Sequence, residues 1–303
     1  MSVLNKLFVA TLPVVPKPIV RKFANRYIAG EEISDAVSLV KELNRQSVLA
    51  TLDVLGEHIH RNDEAIAARD MILKVFDTVQ LEKLNSNVSV KLTQIGLKLD
   101  RQFCLDNMRE ISRRANEQQN FVRIDMEDSS TTDDTLWLYR ELRKDFSNVG
   151  IVLQAYLKRT YLDAERLIKD GLKNFRLCKG IYIEPAEIAF KEKRQINDNF
   201  MRVVELMIRD GAYVGIATHD NDLIHRSCRF IEKMKIGKQQ YEFQMLYGVR
   251  PDLRTQLVRD GYRLRIYVPF GKQWYQYSIR RFKENPQIAG YVLSALFHRD
   301  RLT

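Results

Sequence analysis

Residues 121–160, FVRIDMEDSSTTDDTLWLYRELRKDFSNVGIVLQAYLKRT, decide the fold. The run 121–126 is rich in Val and Ile and reads as a strand. Residues 132–145 carry apolar side chains at helical spacing with charges on the other face, which reads as an amphipathic helix. The apolar run 149–156 is a second strand, and nothing like a tight hairpin turn joins it to the first. Working outward in both directions, the same alternation recurs. Strand candidates lie at 48–54, 88–92, 174–179, 213–218, 241–246 and 262–268, and helical stretches at 64–83, 105–118, 161–170, 199–209, 222–234 and 251–259. Several strands lack strict alternation, as expected of strands buried on both faces. Strand starts are 21 to 40 residues apart, which suits successive βα units. Eight such units with no linker between them predict an α/β fold, a single (β/α)8 TIM barrel. A doubly wound sheet is the main alternative, but it would call for fewer strands and an early glycine-rich turn, and no GxGxxG follows any strand here. A helical N-terminal extension is expected over 1–45, followed by a barrel over 46–303 that includes the C-terminal helix.

Composition agrees with a large globular core. The chain has 303 residues, 45% of them apolar and 29% charged, and a net charge of +10. Only 13 glycines and 7 prolines are present, too few for a loop-rich sandwich, a collagen-like chain or a long flexible linker. Cys104, Cys178 and Cys228 are widely separated and odd in number, which disfavours a disulfide framework or a cysteine-based zinc site and points to a reducing cytoplasm. The N-terminal apolar run 7–15 is interrupted by Pro13 and is far short of the roughly 20 residues of a membrane span. It superficially resembles a signal peptide, but no small-x-small cleavage site follows it.

The positive charge is concentrated at the two ends. Residues 1–28 hold five Lys/Arg and no acid, and residues 254–303 hold ten Lys/Arg against Asp260, Glu284 and Asp300. Such a field suits nucleic acid, an anionic membrane surface or a small anionic ligand. With no zinc finger, RNP-like aromatic motif or phosphate loop, nucleic acid is disfavoured.

In a barrel the C-terminal strand ends converge on one mouth, and here they are polar throughout. They carry Asp53 and Glu57, then Lys91 with Thr93 and Gln94, then Asp125, Glu127 and Asp128, Gln154, Arg176 and Lys179. Thr218, His219 and Asp220 follow, then Gln244 and Tyr267, and a helix-like stretch beyond the last strand holds Tyr277, Arg280, Arg281 and Glu284. Each has an unremarkable explanation when taken alone. Lys or Gln can be solvated rim, Asp125 and Asp220 can cap the next helix, and His219 can be a satisfied structural histidine. A polar residue on every strand end is harder to attribute to chance. No Ser-His or Cys-His spacing supports nucleophilic hydrolysis, and one mouth histidine does not make a histidine-rich metal site. The cations Lys91, Arg176, Lys179, Arg280 and Arg281 suit an anionic substrate or a phosphate-bearing cofactor. Arg280 and Arg281 diverge by about 100° on a helix, and Glu284 lies within helical reach of both.

Seven blocks, in order, carry a resemblance along nearly the whole chain. They are VSVKLTQIGL (88–97), RIDMEDS (123–129), GIVLQAYLKRT (150–160), FRLCKGIYIEP (175–185), ATHD (217–220), YEFQMLYGVR (241–250) and YVPFGKQWYQYSIRRFKENP (267–286). On them the chain resembles the proline dehydrogenases, in their monofunctional bacterial form. The resemblance implies a distorted (β/α)8 barrel with non-covalent FAD, oxidising L-proline to Δ1-pyrroline-5-carboxylate and passing electrons to membrane quinone. It implies that Lys91, Arg280 and Arg281 contact the proline carboxylate, with Glu284 beside them, and that Tyr182, Leu246, Tyr267 and Tyr277 wall the ring. Asp125 matches the family's catalytic-site aspartate, and Arg176 the arginine near flavin N5. Met126, Gln154, Lys179, Gly180, Ile181, Thr218, His219 and Gln244 match cofactor positions. Proline's amine must lose its proton before hydride transfer, and Asp125, Lys91 and a water remain open as acceptors.

The pattern departs from the family in one block. The usual Val-Lys-Gly-Ala-Tyr is Cys178–Lys179–Gly180–Ile181–Tyr182, and the bulkier Ile181 bears on pocket size and substrate preference. Ile183 stands where some bifunctional relatives place an aromatic on the adenine. Cys178 reads as core filling rather than a reactive thiol. Two readings of residues 4–15 stand. The segment either lies on an anionic membrane surface, giving peripheral association at the inner face of the cell membrane, or forms a helix docked on the barrel. The competing functions are a barrel flavoprotein reductase of the folate type, which does not call for paired arginines on the last helix, and a non-catalytic binding barrel, which gives no reason for polar residues on every strand end.

Overall fold

The structure is a computed structural model. It describes residues 20–21, 24–56 and 59–284, with the helical backbone alone for 280–284. Eight parallel strands close a barrel in chain order, β1 (Leu49–Val54), β2 (Ser86–Lys91), β3 (Val122–Asp125), β4 (Val149–Gln154), β5 (Asn174–Cys178), β6 (Tyr213–Ala217), β7 (Tyr241–Leu246) and β8 (Leu264–Phe270). Closure is made by β8 on β1, with Leu49 opposite Arg265 and Val54 opposite Phe270. Helix α1 (Ile33–Arg45) precedes the barrel. The helices α2 (Asn62–Leu81), α3 (Arg101–Glu117), α4 (Thr132–Asp145), α5 (Thr160–Lys169), α6 (Lys193–Arg209), α7 (Asn221–Met234) and α8 (Pro251–Arg259) connect successive strands, and α9 (Trp274–Glu284) follows β8.

The elements match the sequence reading to within a few residues, apart from the start of α6. Strand β8 runs two residues further than expected, because its pairing with β1 continues to Phe270. The strands are buried on both faces, yet they do alternate. One face of β2, β3, β5 and β7 carries Val88 and Val90, Val122 and Ile124, Phe175 and Leu177, and Tyr241, Phe243 and Met245, all in the apolar core beneath the helices. The other face points into the barrel and is polar, with Ser89, Arg123, Asp125, Arg176, Glu242, Gln244, Arg265 and Tyr267 bonded across the lumen. Layers of branched apolar residues usually fill such a barrel. Here a hydrogen-bonded polar column does so. At its base Arg123 is fully buried, its Nη1 donating to the Ile151 and Asn174 carbonyls and its Nη2 to Asn174 Oδ1, while its Nε has no partner among the described residues. Burial, reinforced by Arg176, lowers its pKa to about 10.

The N-terminal segment runs to the mouth end of the barrel. The Ala29 N–H donates to the Pro269 carbonyl at 2.9 Å, the Gly271 N–H donates to Gly30, and the Arg21 guanidinium lies 4.8 Å from the Trp274 ring centre. Residues 1–19, including the apolar stretch 4–15, lie outside the described residues, as does Glu57.

Candidate active site

A cavity of about 450 Å³ occupies the mouth formed by the C-terminal strand ends. Lys91, Asp125, Met126, Gln154, Arg176, Lys179, Gly180, Ile181, Tyr182, Thr218, His219, Gln244, Leu246, Tyr267 and Tyr277 all line it. They come from seven strands, their following loops and α9, so only barrel closure brings them together. Arg280, Arg281 and Glu284 sit on α9, which also brings Tyr277 to the cavity, and their side chains lie outside what the structure describes.

Asp125 is the hub of the floor. Its Oδ1 accepts from Ser89 Oγ at 2.8 Å and Arg176 Nη1 at 2.7 Å, and its Oδ2 from the Tyr267 hydroxyl at 2.7 Å. Asp125 was open to a capping role, but Asp128 caps the next helical turn instead, accepting from the Ser130 N–H. Lys91 Nζ donates to Asp53 Oδ1 at 2.7 Å and lies 3.5 Å from the Tyr267 oxygen. Burial raises the Asp53 pKa, with Lys91 opposing and Asp125 reinforcing the shift. Burial, then Asp125 and Asp53, push the Tyr267 hydroxyl well above its usual value, so it stays a donor. Arg176 Nε donates to Gln244 Oε1 at 2.5 Å.

The cations expected to make the mouth attractive to an anion are largely spoken for. Lys91 is paired with Asp53, Arg176 with Asp125, and Lys179 with Asp220 at 2.6 Å. The Asp220 carboxylate also accepts from the Asp222 N–H and caps α7, so its capping role holds alongside the ion pair. His219 Nε2 accepts from the Leu246 N–H at 2.9 Å, which ties β6 to β7 while the ring lines the cavity. Gly180 has a φ of +103°, and a Cβ there would stand 2.1 Å from the Tyr156 ring, so only glycine lets the backbone pass. Burial pushes the Cys178 thiol up to about 11, which keeps it protonated and unreactive.

One buried group matches a heteroaromatic ligand. Gln154 lines the cavity, and its Nε2 donates to the Met126 and Glu127 carbonyls at 3.1 and 3.2 Å. Its Oε1 is buried with no hydrogen-bond partner among the described residues. A buried acceptor costs about 1–3 kcal/mol when unmade, so an N–H donor brought against it by a bound ring would relieve that cost. Among the described residues no group of three or more His, Cys, Asp or Glu is placed to hold a metal.

Sequence reasoning named Asp53 as a strand-end residue but did not place it in the site, and it missed Ser89 and Glu242 altogether. The period-2 run Asn87, Ser89, Lys91 was the available signal, since it puts Ser89 on the same face as Lys91.

Residues 36–293 match the family described as Proline dehydrogenase. The chain is 39% identical over 276 residues to Proline dehydrogenase 1 of Bacillus subtilis (strain 168), covering 91% of each chain. It is 37% identical over 301 residues to Proline dehydrogenase of Deinococcus radiodurans, covering 95% of this chain and 96% of that one. The crystal structure of proline utilization A from Bdellovibrio bacteriovorus inactivated by N-propargylglycine superposes with a TM-score of 0.82 at 25% identity. That match covers 90% of this chain and 34% of the longer protein.

Proposed function

The chain belongs to the proline dehydrogenase family, an oxidoreductase family that is flavin-dependent in general, and on that premise we propose that it oxidises L-proline to Δ1-pyrroline-5-carboxylate with non-covalently held FAD. The observation that carries the reading is the mouth cavity, which is lined both by a carboxylate–guanidinium–phenol cluster and by Gln154, whose Oε1 has no partner among the described residues. When bound, FAD supplies the hydride acceptor.

The chain's own residues do the rest. Gln154, Met126, Lys179, Gly180, Ile181, Thr218, His219 and Gln244 would hold the ring system. Lys91 and the α9 arginines Arg280 and Arg281 would grip the proline carboxylate by charge-assisted hydrogen bonds, with Glu284 steadying the pair. Because Lys91 already shares its charge with Asp53, the two arginines would supply most of the attraction for the substrate carboxylate. Tyr182, Leu246, Tyr267 and Tyr277 would wall the ring and exclude water, which converts binding into orientation. Arg176 is clamped by Asp125 and Gln244. A fixed cation there favours the electron-rich reduced cofactor. Of the Asp125 oxygens, Oδ1 accepts from two donors and Oδ2 from one among the described residues. Oδ2 therefore has the capacity to take the amine proton.

Electrons are proposed to leave for membrane quinone. No helix among the described residues is long and apolar enough to cross a membrane. The stretch 4–15 with its flanking Lys and Arg is proposed as a peripheral contact of a cytoplasmic enzyme with an anionic surface, whereas Val20, Ala24 and Ile28 are buried. That stretch belongs to an N-terminal extension over 1–45 that precedes the catalytic barrel over 46–303. Recovery wholly in the soluble fraction, without salt or detergent, would count against that contact.

The reading is tested by the visible spectrum of the purified protein before and after anaerobic L-proline. Flavin bands that bleach establish cofactor, substrate and direction of electron flow together. Flavin that stays oxidised points to another donor, with Ile181 the first suspect. A colourless protein that FAD does not reconstitute overturns the enzyme.

A further inference from the structure

Arg176 on β5 and Gln244 on β7 hydrogen-bond over the strand between them. In register, Arg176 lies opposite Gly215 of β6, and Gly215 lies opposite Glu242 of β7. A Cβ on Gly215 would stand 2.4 Å from Gln244 Nε2 and 2.8 Å from its Cδ. The glycine is thus the groove in which the Gln244 amide crosses β6. Chemistry fixes which way that amide turns. Arg176 Nε can only donate, so it takes Oε1. The amide NH2 then needs an acceptor, and Glu242 Oε1 supplies it at 2.7 Å. Were the amide reversed, two donors would meet at the guanidinium. Glu242 is itself fixed, since the same Oε1 accepts from Arg265 Nε at 2.6 Å and Arg265 Nη1 donates to the Ala50 carbonyl at 2.6 Å.

We propose that Glu242 is a positioning residue. Acting through the Gln244 amide, in the groove left by Gly215, it sets the orientation of the Arg176 guanidinium and thereby the reduction potential and turnover of the site. The proposal rests on the flavin-dependent reading above. Glu242 is 1% exposed. Although burial alone would raise its pKa, Arg265 and the hydrogen bonds of Gln244 and Tyr213 lower it below the usual carboxylate range, so its acceptor role persists over the working pH range. Glu242 itself does not line the cavity and acts only through Gln244. Its loss should therefore appear in kcat and in the cofactor's potential rather than in KM.

The test compares Glu242→Leu, Glu242→Gln, Gln244→Met and the double variant Glu242→Leu/Gln244→Met as FAD-loaded proteins. The readouts are the flavin midpoint potential, FAD affinity, and kcat and KM for L-proline. Glu242→Leu and Gln244→Met are each expected to make the potential more negative and to lower kcat by about 10- to 100-fold, with KM within about twofold. The double variant should be no worse than the poorer single variant, because both break one relay. Glu242→Gln should keep most of the potential and of kcat, since its amide oxygen can still accept from both Gln244 and Arg265. A Glu242→Leu protein with wild-type potential and kcat overturns the proposal. So does a Glu242→Gln protein as impaired as Glu242→Leu, and so do effects of the two single changes that multiply in the double. If Glu242→Leu does not fold, Gly215→Ala leaves the Glu242–Arg265 pair in place and evicts the Gln244 amide. A wild-type potential and kcat in that variant overturns the proposal equally. If wild-type flavin is not bleached by proline, the reading of function fails, while the potential and FAD affinity of the variants still decide the relay.

Discussion

The Tyr267 hydroxyl donates to Asp125 Oδ2 at 2.7 Å, joining β8 to β3 across the lumen. The two residues are 142 positions apart in the chain, and Arg176 lies against both, 2.7 Å from Asp125 Oδ1 and 5.2 Å from the centre of the Tyr267 ring. Tyr267→Phe keeps the ring and its contact with Arg176 but removes the donor to Asp125. Loss of a hydrogen bond to a buried charge costs about 1.5–3 kcal/mol. A fall of about 10- to 100-fold in kcat/KM for proline is expected from steady-state kinetics, with the fold intact by circular dichroism.

With Lys91 paired to Asp53, the α9 arginines are expected to carry the substrate's charge. Arg280→Met or Arg281→Met should raise KM for proline, with a loss of about 2–4 kcal/mol in transition-state binding. Two variants that both retain wild-type kcat/KM would remove the clamp from the mechanism.

Asp220 joins two loops of the mouth and caps α7. Burial alone would raise its pKa, but hydrogen bonds from Lys179 and Lys193 and their charges outweigh it and hold the carboxyl well below its ordinary 3.8. A depressed carboxylate contributes stability that is present above its unfolded value and lost as pH falls through its folded one. Asp220→Asn retains an N-cap acceptor but not the charge. The stability difference between wild type and variant should therefore be full near neutral pH and shrink as pH drops below about 4. Urea midpoints measured at a series of pH values check this; a difference that does not change with pH would contradict it.

Gly248, just after β7, has a φ of +75°, and a Cβ there would stand 1.6 Å from the Arg26 carbonyl oxygen. Substitution to alanine incurs a left-handed backbone penalty and must also displace the N-terminal segment. Gly248→Ala should cost about 2 kcal/mol or more, read as a lower Tm. The same segment braces α9 through Arg21 and Trp274, so proline KM should rise as well. Unchanged stability would show that the segment is not held against this loop.

Much of this architecture was legible locally. The strand at 149–156 and the helix at 132–145 were read from apolar spacing alone, and β4 (Val149–Gln154) and α4 (Thr132–Asp145) lie where that spacing put them. Polar residues at the strand ends marked the mouth, and most of those whose side chains are described line its cavity, although Thr93, Gln94 and Asp128 do not. The pairing partners were not legible. Lys91 with Asp53, Lys179 with Asp220, and the relay from Glu242 through Gln244 to Arg176 all join different strands or loops, except for the Glu242–Gln244 link. The cations of the mouth could be read only as suiting an anion, since a sequence shows charges without showing which opposite charge each one meets.

Repeating periodicities along the chain determine by themselves that strands and helices alternate and how many there are, because the spacing of buried side chains is a local property. Tertiary structure alone decided that β8 closes on β1, that the lumen is a polar column rather than an apolar one, and that Gly215 leaves room for an amide to span a strand. Closure sets register between residues far apart in sequence, and register determines which donor faces which acceptor. For buried polar groups an unmade pairing is costly, so the charge and reactivity of the site depend on which partners closure provides, and they belong to the closed barrel and to no single stretch of the chain.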